Sequence, residues 1–151
     1  MRKAVIPALL LALPLGAFAA DLEEAVDARQ GYYSLLGFEM HSLVAMAKGE
    51  VEYDAEKAKG HAADMLTLTK YDAAGLFPPG TSKADMPGKT RALPAIWEDP
   101  ESVQEKGAAF VAAVKDLNEV AGEGRGQLGK AVQDLGGTCK GCHDDYRAED
   151  F

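Results

Sequence analysis

The chain is poor in cysteine, aromatic residues and positive charge, and each shortage removes a class of protein. Two cysteines in 151 residues cannot build the disulfide framework of a small secreted domain. Aromatic residues are only 7% of the chain while Ala and Gly are plentiful, a balance that favours helices over a β-sandwich. Lys and Arg number 16 against 24 Asp and Glu, a net charge of -8 with no basic cluster. Such a chain is ill suited to nucleic acid or to anionic lipid, since both are bound by neutralising phosphate. A hydrophobic share of 47% argues against wholesale disorder, and the length allows one domain.

The longest apolar run is at the N-terminus. Met1-Arg2-Lys3 is a short positive segment, Ala4 to Leu15 is apolar, and Ala17-Phe18-Ala19 offers small residues at the two positions a signal peptidase reads. About a dozen apolar residues fall short of the roughly 20 that cross a bilayer as a helix. Residues 1–19 (or 1–20) therefore read as a cleaved export signal and 20–151 as the mature domain, an exported chain not inserted in a membrane.

Four helices follow. Leu22, Val26, Arg29, Tyr33, Leu36, Met40, Leu43 and Ala47 recur in steps of four and three, which predicts a helix from Asp21 to about Lys48 with Arg29 as the polar break in its buried seam. Asp21 with Glu24 suits its start and Gly49 its stop. A second helix is expected from an Asp54 cap to about Asp72, with the small seam Ala55, Ala58, Ala62, Met65 and Thr69. Asp99 followed by Pro100 opens a third, carrying Val103, Gly107, Phe110, Val114, Leu117 and Ala121. Gly122 and Gly124 end it, and the fourth runs from about Arg125 to Ala148. Between the second and third, Gly75 to Glu98 is broken by three glycines and four prolines, so it reads as a long crossover pinned by Ile96 and Trp97. The expected architecture is an all-α antiparallel four-helix bundle with a long loop between helices 2 and 3.

The chemistry lies in the last helix, at Cys139-Lys140-Gly141-Cys142-His143. Cys-x-x-Cys-His is the attachment signature of a c-type haem. Residues three and four apart share a helix face, so Cys139 and Cys142 can each form a thioether with a haem vinyl group while His143 offers its imidazole to the iron. The competing readings are weaker. A thioredoxin-like pair needs a βαβ context that the sequence lacks, a structural zinc site needs four ligands with only His41 and His61 left to supply nitrogen, and a disulfide leaves the adjacent histidine without a role.

With this motif in the last helix of an acidic helical chain, the sequence resembles the cytochrome c′ family over essentially the whole mature chain. Arg29-Gln30 followed by Tyr33, Lys89-Thr90-Arg91 leading to Trp97, and the tail Cys142-His143-Asp144-Asp145-Tyr146-Arg147 carry the rest of the likeness. The resemblance implies one covalent haem c at one end of a homodimeric bundle, ligated by His143 and surrounded by Arg29, Gln30, Tyr33, Trp97 and Arg147. It also implies a five-coordinate iron with a bulky side chain, here Tyr33, on the open face. Met40, the nearest alternative ligand, is seven residues further on, about 10.5 Å along a helix. Met40, Met46 and Met65 read as core filling. Arg29, on the seam, calls for an anionic partner, and a haem propionate suits it better than a surface salt bridge. Arg147, one turn after His143, is either a charge that tunes the iron or a solvated last-turn residue. A second apolar stripe, Leu35, Phe38 and Ala45 with Val51 and Tyr53, is the expected dimer face.

Three functions fit one haem: a periplasmic binder of NO and CO with a role in NO protection; a six-coordinate low-spin electron carrier serving redox partner proteins; or a peroxidase. The third is disfavoured because no distal His–Arg pair is evident. The favoured reading is the gas-binding protein, which is not an enzyme.

Overall fold

The computed structural model describes the backbone from residue 15 and side chains from residue 21; the expected export signal lies outside the residues whose side chains are described. Among the described residues, five α-helices run in the order α1 (Leu15–Lys48), α2 (Ala55–Leu68), α3 (Ala95–Glu98), α4 (Pro100–Val120) and α5 (Arg125–Tyr146). The four long ones form the bundle, each packed on two neighbours: α1 on α2 and α5, and α4 on α2 and α5. Among the described residues, no helix is long and apolar enough to cross a membrane.

Local chemistry sets most helix ends. The Asp54 carboxylate accepts from the Glu56 and Lys57 amides at 3.0 and 3.1 Å, and Asp99 accepts from Ser102 at 3.2 Å. Gly49 leaves α1 at φ 74°, a conformation that costs a residue with a Cβ about 1–2 kcal/mol.

Three ends differ from expectation. Helix α1 passes through Asp21 without a break, so Asp21 and Glu24 do not cap it. Helix α2 stops at Leu68, where the Thr69 hydroxyl turns back to the Leu66 carbonyl; Asp72 caps a 3-10 turn over Ala73–Leu76 instead. Helix α5 stops at Tyr146, because Arg147 takes extended backbone and pairs with Ala92 of the crossover.

The core fills one end of the bundle. Leu43, Ala58, Ala62, Val114, Leu117, Ala121, Leu128 and Leu135 are 0% exposed, with Met65 at 1% and Met46 at 4%. The alanines of α2 let its backbone approach α1 and α4, and each buried leucine or valine contributes roughly 1.5–3 kcal/mol. Tyr53 serves this end too. Its hydroxyl donates to the Ala121 carbonyl at 2.9 Å and accepts from the Gly124 amide at 2.9 Å. Both bonds tie the α4–α5 turn, so Tyr53 belongs to the fold and not to the expected exposed stripe.

At the other end the seam is not closed. Tyr33 on α1, Thr69 after α2, Val103, Gly107 and Phe110 on α4, and Cys139 and Cys142 on α5 all remain partly or fully exposed. The antiparallel topology brings these positions together.

Candidate functional site

The open end is built around α5. Cys139 and Cys142 are half-buried on its inner face, neither is in a disulfide, and burial pushes both thiols above their ordinary value. His143 is more exposed. Burial first and the charge of Arg91 second hold its imidazole below the usual range, so it stays neutral, the form that binds metal. Lys106 of α4 fixes the motif from the side: its ammonium donates to the Gly141 carbonyl at 2.8 Å and pairs with Asp145 at 2.7 Å.

Tyr33, on α1, stands close enough to both thiols for Cys142 and Cys139 to help raise its phenol. Its ring edge-packs against Tyr32 (centroids 5.3 Å) and Phe77 (6.4 Å), and Phe77 in turn meets Trp97 at 6.3 Å. Although 47% exposed at its rim, the phenol is pushed up to about 12, by burial first and by Cys142 and Tyr32 next, so it remains protonated. The Trp97 indole donates to the Phe77 carbonyl at 3.0 Å, which holds Phe77 in place. Met40 lies elsewhere. A Cβ on Gly136 would be 3.9 Å from its terminal methyl, and Gly136 is about 10.5 Å along α5 from His143.

Arg29 is 4% exposed and, among the described residues, has no carboxylate partner. One terminal nitrogen donates to the Leu76 carbonyl (3.4 Å) and the Thr81 hydroxyl (3.2 Å); the other donates to the Thr81 carbonyl (3.1 Å) and the Thr90 hydroxyl (2.8 Å). Its guanidinium also covers the Phe77 ring at 4.7 Å. Four neutral oxygens of the crossover thus accept from the two terminal nitrogens of Arg29. Gln30 assists by donating to the Lys89 carbonyl at 2.6 Å. Burial still lowers the Arg29 pKa, yet a guanidinium remains charged at any physiological pH.

Beyond the motif the chain clasps the crossover. Leu93 donates to the Tyr146 carbonyl at 3.0 Å, and Ala148 donates to the Arg91 carbonyl at 2.8 Å. Arg147 points back, its guanidinium 3.4 Å from His143 Nδ1. Arg147 can only donate, so this contact uses Nδ1 as acceptor and leaves the proton on Nε2.

The arrangement fits a covalent c-type haem: two thiols on one face, a neutral imidazole at the next position, and an apolar seam around them that side chains do not close. It does not fit the alternatives. Among the described residues, no three His, Cys, Asp or Glu stand together as metal ligands. The site residues that sequence reasoning missed are Phe77 and Lys106, while Arg91 figures there only within the Lys89-Thr90-Arg91 stretch, with no role of its own. Phe77 left a trace, an apolar Leu76-Phe77 pair inside a Pro- and Gly-rich loop; Lys106 left none, since a charge on a helix is ordinarily solvated.

Comparison with known proteins agrees. A family model described as Cytochrome C′ matches residues 24–147. The cytochrome c′ of Cereibacter sphaeroides is 52% identical over 149 residues, covering 99% of each chain. A solved cytochrome c′ from Rhodobacter sphaeroides, 52% identical, superposes with a TM-score of 0.83 over 85% of this chain and 98% of its own. A variant cytochrome c′ from Alcaligenes xylosoxidans, solved as a nitric oxide complex, is 31% identical with a TM-score of 0.73 over 85% and 97%.

Proposed function

Because this chain belongs to the cytochrome c′ family and carries haem c, we propose that it is a periplasmic gas-binding cytochrome. Cys139 and Cys142 would hold the haem through thioethers, His143 would be its protein ligand, and Tyr33 would line the face open to NO and CO. The haem supplies an iron that changes oxidation state and takes a diatomic ligand; the surrounding residues decide what reaches it.

One observation carries this reading: the α1 side chain beside the thiols is a neutral phenol, while Met40 of the same helix packs by Gly136, about two helical turns along α5 from His143. A protonated phenol is a poor iron ligand but a large obstacle. Phe77 stands behind Tyr33, and Arg29 and Trp97 hold Phe77, so an incoming ligand has to push a braced ring aside. If His143 gives Nε2 to the iron, its Nδ1 would carry the proton and would not accept from Arg147. The guanidinium charge nonetheless stays close, and a fixed positive charge disfavours the ferric state and raises the potential. Arg29 keeps one N–H, on Nε, that the crossover does not use, and this is the group we assign to a propionate.

The absorption spectrum of the ferrous protein tests the reading. A broad high-spin Soret band that sharpens and shifts with CO is expected. Sharp low-spin α and β bands that gas does not move would instead make it a six-coordinate electron carrier. In the Tyr33→Ala variant, removal of a steric barrier of ~1–3 kcal/mol should speed CO binding by roughly 5–150-fold; unchanged stopped-flow kinetics would show that Tyr33 does not guard the iron.

The dimer uses the outer face of α1. Leu35 and Phe38 on α1 and Val51 just beyond it are 53%, 63% and 52% exposed, three large apolar side chains turned to solvent. In a two-fold pair each residue of such a surface meets its own copy's face. Phe38→Glu places a charge there twice over, and sedimentation should show a monomer where the parent is a dimer. A variant that still sediments as a dimer would move the interface elsewhere.

A further inference from the structure

Three of the five tyrosines stand in one file. From Tyr33 the ring of Tyr32 is 5.3 Å away between centroids, and from Tyr32 the ring of Tyr71 is 5.8 Å away. Tyr33 stands beside the haem-anchoring thiols, Tyr32 of α1 is part-buried with its hydroxyl on the end of α2, and Tyr71 is 57% exposed. One carbonyl fixes the outer pair: Leu68 accepts the Tyr32 hydroxyl at 3.3 Å and the Tyr71 amide at 3.1 Å.

We propose that Tyr33, Tyr32 and Tyr71 form a relay that carries oxidising equivalents from the haem face to the surface, and that Tyr71 is the site where they emerge and become a covalent modification. The proposal rests on haem standing at Cys139–His143. The oxidant is a peroxide reacting at the iron.

The direction follows from the ring chemistry. On the other side of Tyr33 the neighbour is Phe77, and a benzene ring is far harder to oxidise than a phenol, so Trp97 beyond it is insulated. Oxidation of a phenol is easy only when its proton can leave. Burial raises the pKa of Tyr32, and its hydroxyl is offered to a backbone carbonyl, which is no base. The oxidising equivalent therefore does not settle there. Tyr71 is in water, where its proton is lost to solvent. An electron moves inward from Tyr71 through Tyr32 and Tyr33 as the Tyr71 O–H bond breaks.

The atoms balance as follows. One hydrogen peroxide takes up two electrons and two protons and leaves as two waters. Two Tyr71 phenols, on two copies of the chain, each give one electron and one proton. The two radicals join through the ring carbons beside the hydroxyls, and the hydrogens on those carbons return to the oxygens as a dityrosine. With no peroxide-cleaving pair evident, the turnover is slow, and the relay drains equivalents that would otherwise oxidise the haem and its thioethers.

The experiment uses the haem-loaded chain, with haem confirmed by staining on a denaturing gel. Hydrogen peroxide is added, dityrosine is read by fluorescence, its position by peptide mass spectrometry, and haem bleaching by absorbance. The parent should cross-link at Tyr71. Tyr32→Phe should lose most of that cross-link although Tyr71 is intact, and should bleach faster per peroxide. Tyr71→Phe, which alters an exposed ring, keeps the test open if Tyr32→Phe fails to fold. It should lose the cross-link and, with the exit removed, bleach haem faster per peroxide. Cross-linking at Tyr71 that Tyr32→Phe leaves unchanged, or that passes to another tyrosine in Tyr71→Phe, would overturn the relay. A chain that takes up no covalent haem would overturn the haem assignment first and the relay with it, whereas a haem-loaded parent without cross-link sinks the relay alone.

Discussion

Replacing Cys139 and Cys142 together by serine should abolish covalent haem: on a denaturing gel the haem stain disappears from the protein band. A serine hydroxyl does not add to a vinyl group as a thiol does, so any haem captured by the fold is held by contact alone. The stability effect should also be large. The seam around Tyr33, Val103, Phe110, Cys139 and Cys142 is part-open in the chain itself, so without the group this end has little to bury. A loss of ~3–5 kcal/mol in a domain of this size lowers Tm by roughly 10–20 °C. His143→Ala separates anchoring from ligation, since it should keep the stain and change the spectrum. Persistent stain in the double serine variant would remove the motif from the attachment chemistry.

The second large effect is at Arg29. Arg29→Met preserves the length and apolar stem of the side chain but removes donors from the Leu76 and Thr81 carbonyls and from the Thr81 and Thr90 hydroxyls. Thr81 and Thr90 are themselves 0% and 3% exposed, so water does not easily replace those donors. An unsatisfied buried acceptor costs about 1–3 kcal/mol, and the effects within one cluster overlap, so the variant should lose ~3–5 kcal/mol in a urea titration. Hydrogen exchange should show the amides of the crossover opening before those of α4 and α5. Arg29→Lys should recover little, because a single ammonium cannot occupy the positions of two guanidinium nitrogens. A lysine variant as stable as the parent would show that charge, not geometry, holds the crossover.

The two effects meet at Phe77. Arg29 covers its ring, Trp97 donates to its carbonyl, and its edge backs Tyr33. Loosening the crossover therefore also loosens the gate: Arg29→Met should speed CO entry as well as lower stability, while core substitutions at the far end should affect stability alone.

The sequence by itself determined the features that depend on near neighbours. Cys139, Cys142 and His143 are legible because their spacing on one helix is the chemistry, whatever packs around them. The stops and starts at Gly49, Asp54, Asp99 and Gly124 are legible because a cap is satisfied within about four residues of itself. The buried seams of the helices follow from periodicity, and Met65 lies in the core as that periodicity implies; Met46, off the seam of α1, is buried as core filling. What meets a seam is another matter. Arg29 was legible as buried and polar, but its partners are 47, 52 and 61 residues away, and no local rule selects them. Tyr53 was legible as apolar surface, and only the approach of the α4–α5 turn makes it a bridge 68 and 71 residues distant. Phe77, Lys106 and the file from Tyr33 to Tyr71 are likewise products of packing. A helix's own period fixes which face turns inward; the relative placement of helices and crossover, set by burial summed over the whole chain, decides what each inward face touches.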